Sequence, residues 1–110
     1  MKKVNKKYFK RFFEGDAKPH IIKLFSNNCH VCVDLKPDFA KLSSELSKDY
    51  ESVLVDVDEE PELSNLLAED GVPTIYLFKN GSLKEIKYPD DGYNYSYLKE
   101  SILKEINLED

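Results

Sequence analysis

The stretch that decides the fold runs Ile21-Ile22-Lys23-Leu24-Phe25-Ser26-Asn27-Asn28-Cys29-His30-Val31-Cys32-Val33-Asp34-Leu35. Residues 21–25 form a short β-branched and apolar run suited to a buried strand. Beyond the cysteines, Leu35, Phe39, Leu42 and Leu46 recur at steps of four, three and four, the spacing of one helix face. Cys29-His30-Val31-Cys32 therefore sits where a strand gives way to a long helix. These are the only two cysteines in the chain. A disulfide across so short a loop constrains the unfolded chain little, so stability is a poor reason for it and reversible thiol chemistry a better one.

Outward from that junction, periodicity maps the rest. Asn5 suits the cap of a first helix running to about Phe13, with Glu14-Gly15-Asp16 ending it. Pro37 should kink the long helix one turn past Cys32. Residues 53–57 read as a second buried strand. Pro61 fits the first position of a short helix carrying Leu63, Leu66 and Leu67 and stopping at Gly71. Residues 74–79 and 83–88 flank Asn80-Gly81, a strong hairpin signal. Leu98, Ile102 and Ile106 mark a last helix. This order predicts an α/β sandwich whose first strands are parallel and last pair antiparallel, one domain spanning residues 1–110.

With 110 residues the chain can bury roughly two-thirds of its unfolded surface without staples. The net charge of −5 hides an asymmetry: residues 1–28 carry eight Lys or Arg against Glu14 and Asp16, whereas the remainder carries eight against nineteen acids. Lys2, Lys3, Lys6, Lys7, Lys10 and Arg11 interleave with Tyr8, Phe9, Phe12 and Phe13 at helical spacing. That is the pattern of a solvated helix face rather than a nucleic-acid site. No apolar run approaches the roughly 20 residues that span a bilayer, and lysines interrupt the first twenty residues where a signal peptide would be apolar. No membrane association and a cytosolic location are expected. A zinc half-site is the metal alternative for the cysteine pair, but zinc takes about four ligands and only His20 and His30 remain.

Several marks now coincide at fixed spacings. Pro37 stands five residues past Cys32, Asp56-Val57-Asp58 closes the second strand, Val72-Pro73-Thr74 lies 73 − 32 = 41 positions beyond Cys32, and Phe78-Lys79-Asn80-Gly81 makes the hairpin. Over nearly its whole length the chain resembles the thioredoxin family. That resemblance implies a thioredoxin fold, a central mixed sheet of four to five strands flanked by four helices. It also implies a protein-disulfide reductase, with Cys29 the exposed nucleophile and Cys32 the more buried resolving thiol. A helix N-terminus at Cys29 would stabilise a thiolate there. Val72 would lend its backbone to an extended substrate segment, with Pro73 the family's cis-proline. No bound cofactor is expected beyond the redox-active Cys29–Cys32 disulfide. The implied partners are disulfide-containing proteins and a thioredoxin reductase as electron donor, and the chain is expected to be a monomer.

The departures from the family pattern bear on tuning. Asn28 replaces the family's tryptophan at the rim beside the nucleophile. His30 and Val31 match neither Gly-Pro nor Gly-His, and a protonated His30 would make the pair more oxidising. Lys23 stands where the family carries a buried acid, and that acid's partner lysine aligns with Leu54. Either Lys23 lies buried near Cys32 and shifts its pKa, or it snorkels to solvent. The tyrosine-rich stretch 88–97 is expected to be a turn with a capping polar residue, its tyrosines on the sheet edge and their hydroxyls in water. Within the same chemistry an oxidant resembling disulfide isomerase is the alternative, with glutaredoxin fitting less well. Outside it stands a binding module of the same fold with incidental cysteines.

Overall fold

The computed structural model describes residues 1–14 and 18–108. A five-stranded mixed sheet runs in the order β1-β3-β2-β4-β5. Its strands are β1 (Lys2–Lys3), β2 (His20–Phe25), β3 (Glu51–Asp56), β4 (Thr74–Lys79) and β5 (Ser82–Ile86). The helices are α1 (Lys6–Lys10), continued by a 3₁₀ turn at Arg11–Phe13, then α2 (His30–Glu45), α3 (Pro61–Leu67) and α4 (Tyr95–Leu108).

The central strand β2 is buried at every position, pairing parallel with β3 and antiparallel with β4. Its alternation splits the core in two. Ile22 and Leu24 point toward Phe9, Phe12, Val53, Val55 and Phe78, beneath α1 and α3. Ile21 points the other way, toward Leu35, Phe39, Leu42, Ile75, Leu98 and Ile102, beneath α2 and α4. Both faces of the sheet are thus covered, which is why β2 reads as a nearly continuous apolar run.

Local chemistry explains the boundaries. The Asn5 side chain accepts from the Tyr8 N–H at 3.0 Å and caps α1. Asn80 and Gly81 both take positive φ, 53° and 79°, as a type I′ hairpin turn requires, and β4 pairs with β5 across them. Asn94 caps α4 through the Tyr97 N–H at 2.9 Å, and the Tyr95 N–H donates to Asp38 on α2 at 2.9 Å, tying the two helices together.

Several expectations need correction. β1 was not foreseen: two exposed lysines show no periodicity, yet their backbone pairs parallel with Val53 and Leu54. α3 ends at Leu67, short of Gly71, and the second strand ends at Asp56. α2 is continuous through Pro37, its eighth residue. Three of the four tyrosine hydroxyls are bonded to protein rather than left to water alone: Tyr93 donates to the Ile86 carbonyl, Tyr97 to the Lys87 carbonyl at 2.6 Å, and Tyr95 to Glu45. The expected stop at Gly15-Asp16 lies outside the described residues.

Candidate active site

The end of β2 and the start of α2 are joined by a tight, bonded loop. The Cys29 N–H donates to the Ser26 carbonyl at 3.2 Å, and the Asn28 N–H to Ser26 Oγ at 3.2 Å. Ser26 Oγ in turn donates to Asp58 Oδ2 at 2.7 Å, fixing this loop to the one that follows β3. Asp58 is itself held by its N–H on Asp56 Oδ1 at 3.0 Å. Asp58 was read in the sequence only as part of the motif that closes the second strand, and Ser26 was not singled out, although a serine three residues before a helix-capping cysteine is the signal of such a turn.

Cys29 is the N-cap of α2, with extended backbone (φ −101°, ψ 110°). Its sulfur accepts the Cys32 N–H at 3.1 Å, so one of the four unpaired amides of the helix start is aimed at the Cys29 sulfur. The Cys29 thiol also faces the Val72 carbonyl at 3.7 Å. The Val72–Pro73 peptide is cis, Pro73 is buried and Val72 half-buried. The Cys29–Cys32 and Val72–Pro73 pairs, about forty positions apart in the sequence, are thereby brought to one place.

The two thiols differ in environment. Cys29 is partly exposed, whereas Cys32 is 1% exposed beneath the first turn of α2. Burial pushes the Cys32 thiol up to about 11, helped by its hydrogen bond with Cys29, while Ser26 and Lys23 pull the other way. Cys32 therefore holds its proton in the dithiol form.

Asn28, His30 and Val31 form an exposed rim around Cys29, with Val31 47% exposed. Lys23 resolves the alternative posed by the sequence: it is buried, 3% exposed, and does not reach solvent. Burial lowers its pKa, while Cys32 raises it and Lys36 lowers it further. Leu54 is its register partner on β3 and supplies no charge. His20 lies at the opposite end of β2, bonded to Tyr8 Oη at 2.8 Å and 3.0 Å from Glu51, remote from the thiols. Among the described residues no cluster of three or more His, Cys, Asp or Glu could hold a metal. No described helix is long and apolar enough to cross a membrane. Much of the basic N-terminal segment is occupied within the protein: Lys3 pairs with Glu59, Lys6 with Glu62, and Lys2 and Arg11 lie over the Tyr8 ring.

The family model for thioredoxin matches residues 1–104. The chain belongs to the thioredoxin family. A thioredoxin of Rickettsia bellii is 29% identical over 63% of this chain and 66% of its own. The chloroplastic thioredoxin-like protein CITRX of rice (Oryza sativa subsp. indica) is 31% identical over 77% of this chain, which spans 46% of that protein. The chain thus covers less than two-thirds of these relatives' length. The crystal structure of chloroplastic thioredoxin z superposes with a TM-score of 0.78, covering 98% of this chain and 95% of that one at 23% identity. The thioredoxin fold and family expected from the sequence are borne out, and Cys29 and Cys32 lie within the matched residues. The expected cytosolic location is not: chloroplastic proteins stand among the similar sequences and folds, and the lysine-rich N-terminus assigns no compartment.

Proposed function

We propose that this thioredoxin-family chain reduces disulfides in protein substrates by dithiol–disulfide exchange. One observation carries the reading: a partly exposed cysteine caps α2 with an amide on its sulfur, and a buried second thiol lies one turn behind it. Cys29 as thiolate attacks a substrate disulfide, forming a mixed disulfide and releasing one substrate thiolate. Cys32 then attacks Cys29 Sγ, forming the Cys29–Cys32 disulfide and releasing the second substrate thiol. The exposed rim of Asn28, His30 and Val31 and the carbonyl of Val72 form the surface on which an extended substrate segment docks. With Asn28 in place of a large aromatic ring, that rim relies more on backbone pairing than on apolar contact. We take the chain to act as a monomer, without a bound cofactor, with a thioredoxin reductase as electron donor.

Reduction of insulin by the dithiol, followed by turbidity, tests the activity. Equilibration with glutathione buffers gives the direction of electron flow. A potential near or below the cytosolic poise supports a reductant, and one well above it an oxidant tuned by His30. Absence of any reversible pair leaves a binding module.

A further inference from the structure

Residues 26–28, Ser-Asn-Asn, are all that separates the end of β2 from the capping cysteine, and they carry no apolar anchor and no proline. Asn27 and Asn28 are exposed, so packing does not hold this loop. Hydrogen bonds do, and they converge on Ser26. Its carbonyl accepts the Cys29 N–H at 3.2 Å, and its hydroxyl oxygen accepts the Asn28 N–H at 3.2 Å. Two successive amides are thus fixed by one residue, the second of them belonging to the cysteine itself.

A serine hydroxyl has a single proton to donate, and a carboxylate can only accept. The 2.7 Å contact with Asp58 Oδ2 therefore sends that proton to Asp58 and turns a lone pair of Ser26 Oγ toward Asn28. A hydrogen bond to a charged acceptor is stronger than a neutral one, and it polarises the hydroxyl as an acceptor for the amide behind it. Asp58 suits the role of anchor because the sheet fixes its own position. β2 and β3 run parallel with Phe25 opposite Asp56, and the Val57 N–H donates to the Phe25 carbonyl at 3.0 Å. The Asp58 N–H then donates to the buried Asp56 carboxylate at 3.0 Å. A chain of bonds thus runs from the buried end of β3 through Asp58 and Ser26 to the backbone of Cys29. At its far end the Cys29 sulfur lies 3.1 Å from the Cys32 nitrogen and 3.7 Å from the Val72 carbonyl oxygen.

We propose that Ser26, anchored by Asp58, is a positioning residue that holds Cys29 for attack on a substrate disulfide. The inference rests on the thiol-exchange reading above. Ser26 acts through the Cys29 backbone, keeping it in the extended capping conformation in which the sulfur meets the Cys32 amide. Position and charge give opposite expectations for Asp58. As a charge alone, a carboxylate beside the loop disfavours a thiolate, and its removal would make Cys29 more reactive. As an anchor it favours the reactive geometry, and its removal makes Cys29 less reactive.

Alkylation of Cys29 in the reduced protein by iodoacetamide near neutral pH, followed by mass spectrometry, tests this without a docking partner, each variant being held well below its thermal midpoint. Ser26→Ala and Asp58→Ala should each slow labelling roughly three- to ten-fold. Ser26→Thr keeps the hydroxyl and should label at close to the wild-type rate. The double variant should be no slower than Ser26→Ala, because the two residues act in series. Asp58→Ala, on an exposed side chain, carries the test should Ser26→Ala not fold. Unchanged labelling in Ser26→Ala, faster labelling in Asp58→Ala, additive losses in the double variant or a slow Ser26→Thr would each overturn the proposal. A wild-type Cys29 that labels no faster than glutathione would instead overturn the thiol-exchange reading itself.

Discussion

The buried thiol should make the reduced protein lose stability in alkali by an amount that can be worked out beforehand. Cys32 holds its proton up to about 11 in the fold, against an ordinary value of 9.0. Between those values the unfolded chain has released this proton and the folded one has not, so the unfolded state binds fewer protons and stability falls as pH rises. The contribution is fully present below about pH 9 and is gone above about 11. Each unit is worth about 1.4 kcal/mol, so raising the pH from about 8 to about 10 removes about 1.4 kcal/mol. Tyr8, Tyr76 and Tyr93 are also raised by burial and push the same way. Cys32→Ala shares those tyrosines but lacks the thiol, so the difference between the two proteins isolates Cys32. Urea unfolding of both proteins under reductant, at the two pH values, is the assay. With a slope of about 2 kcal/mol per molar urea, the gap between their midpoints should change by about 0.7 M. A gap that stays constant from pH 8 to pH 10 would refute the assignment of the raised pKa to burial of Cys32.

Cys32→Ser should accumulate a mixed disulfide between Cys29 and a substrate, seen as a reductant-sensitive band on a non-reducing gel, while Cys29→Ser should form none. Phe39→Ala opens a cavity where the ring is fully buried against Leu35, Ile21 and Ile75. It should cost about 3–5 kcal/mol and lower the thermal midpoint by on the order of 15 °C, measured by calorimetry. Asn94→Ala removes the side-chain acceptor at the start of α4 and should cost about 1 kcal/mol in chemical denaturation, with disulfide reduction unchanged.

The sequence was most legible where one physical cause acts alone. Asn80-Gly81 demands positive φ at two consecutive positions, and few other structures satisfy that. The leucines and Phe39 of α2 follow helical spacing because one face is buried. The thiol site was legible because Cys29 and Cys32 are the only cysteines and fall at a strand-to-helix junction. What was hidden depends on partners distant in the chain. β1 is made by backbone pairing alone, which two lysines do not announce. Ser26 and Asp58 acquire a role only when the loops after β2 and β3 are side by side. The position of Lys23 was open because a lysine within an apolar strand is compatible with both snorkelling and burial, and the ring of Phe39, sixteen residues on, decides it.

The margins of the sheet bear on how such a protein handles other polypeptides. One outer strand is two exposed lysines, and the other exposes Ser82, Lys84 and Glu85. Short, charged margins are poor templates for another chain, because adding a strand there would bring like charges together over few hydrogen bonds. Under the proposed exchange function, an extended substrate segment would meet exposed backbone at each round. With both borders of the sheet made unattractive, the carbonyl of Val72, beside the Cys29 sulfur, would then be left as the place for it, and its release would not be contested by a second resting place.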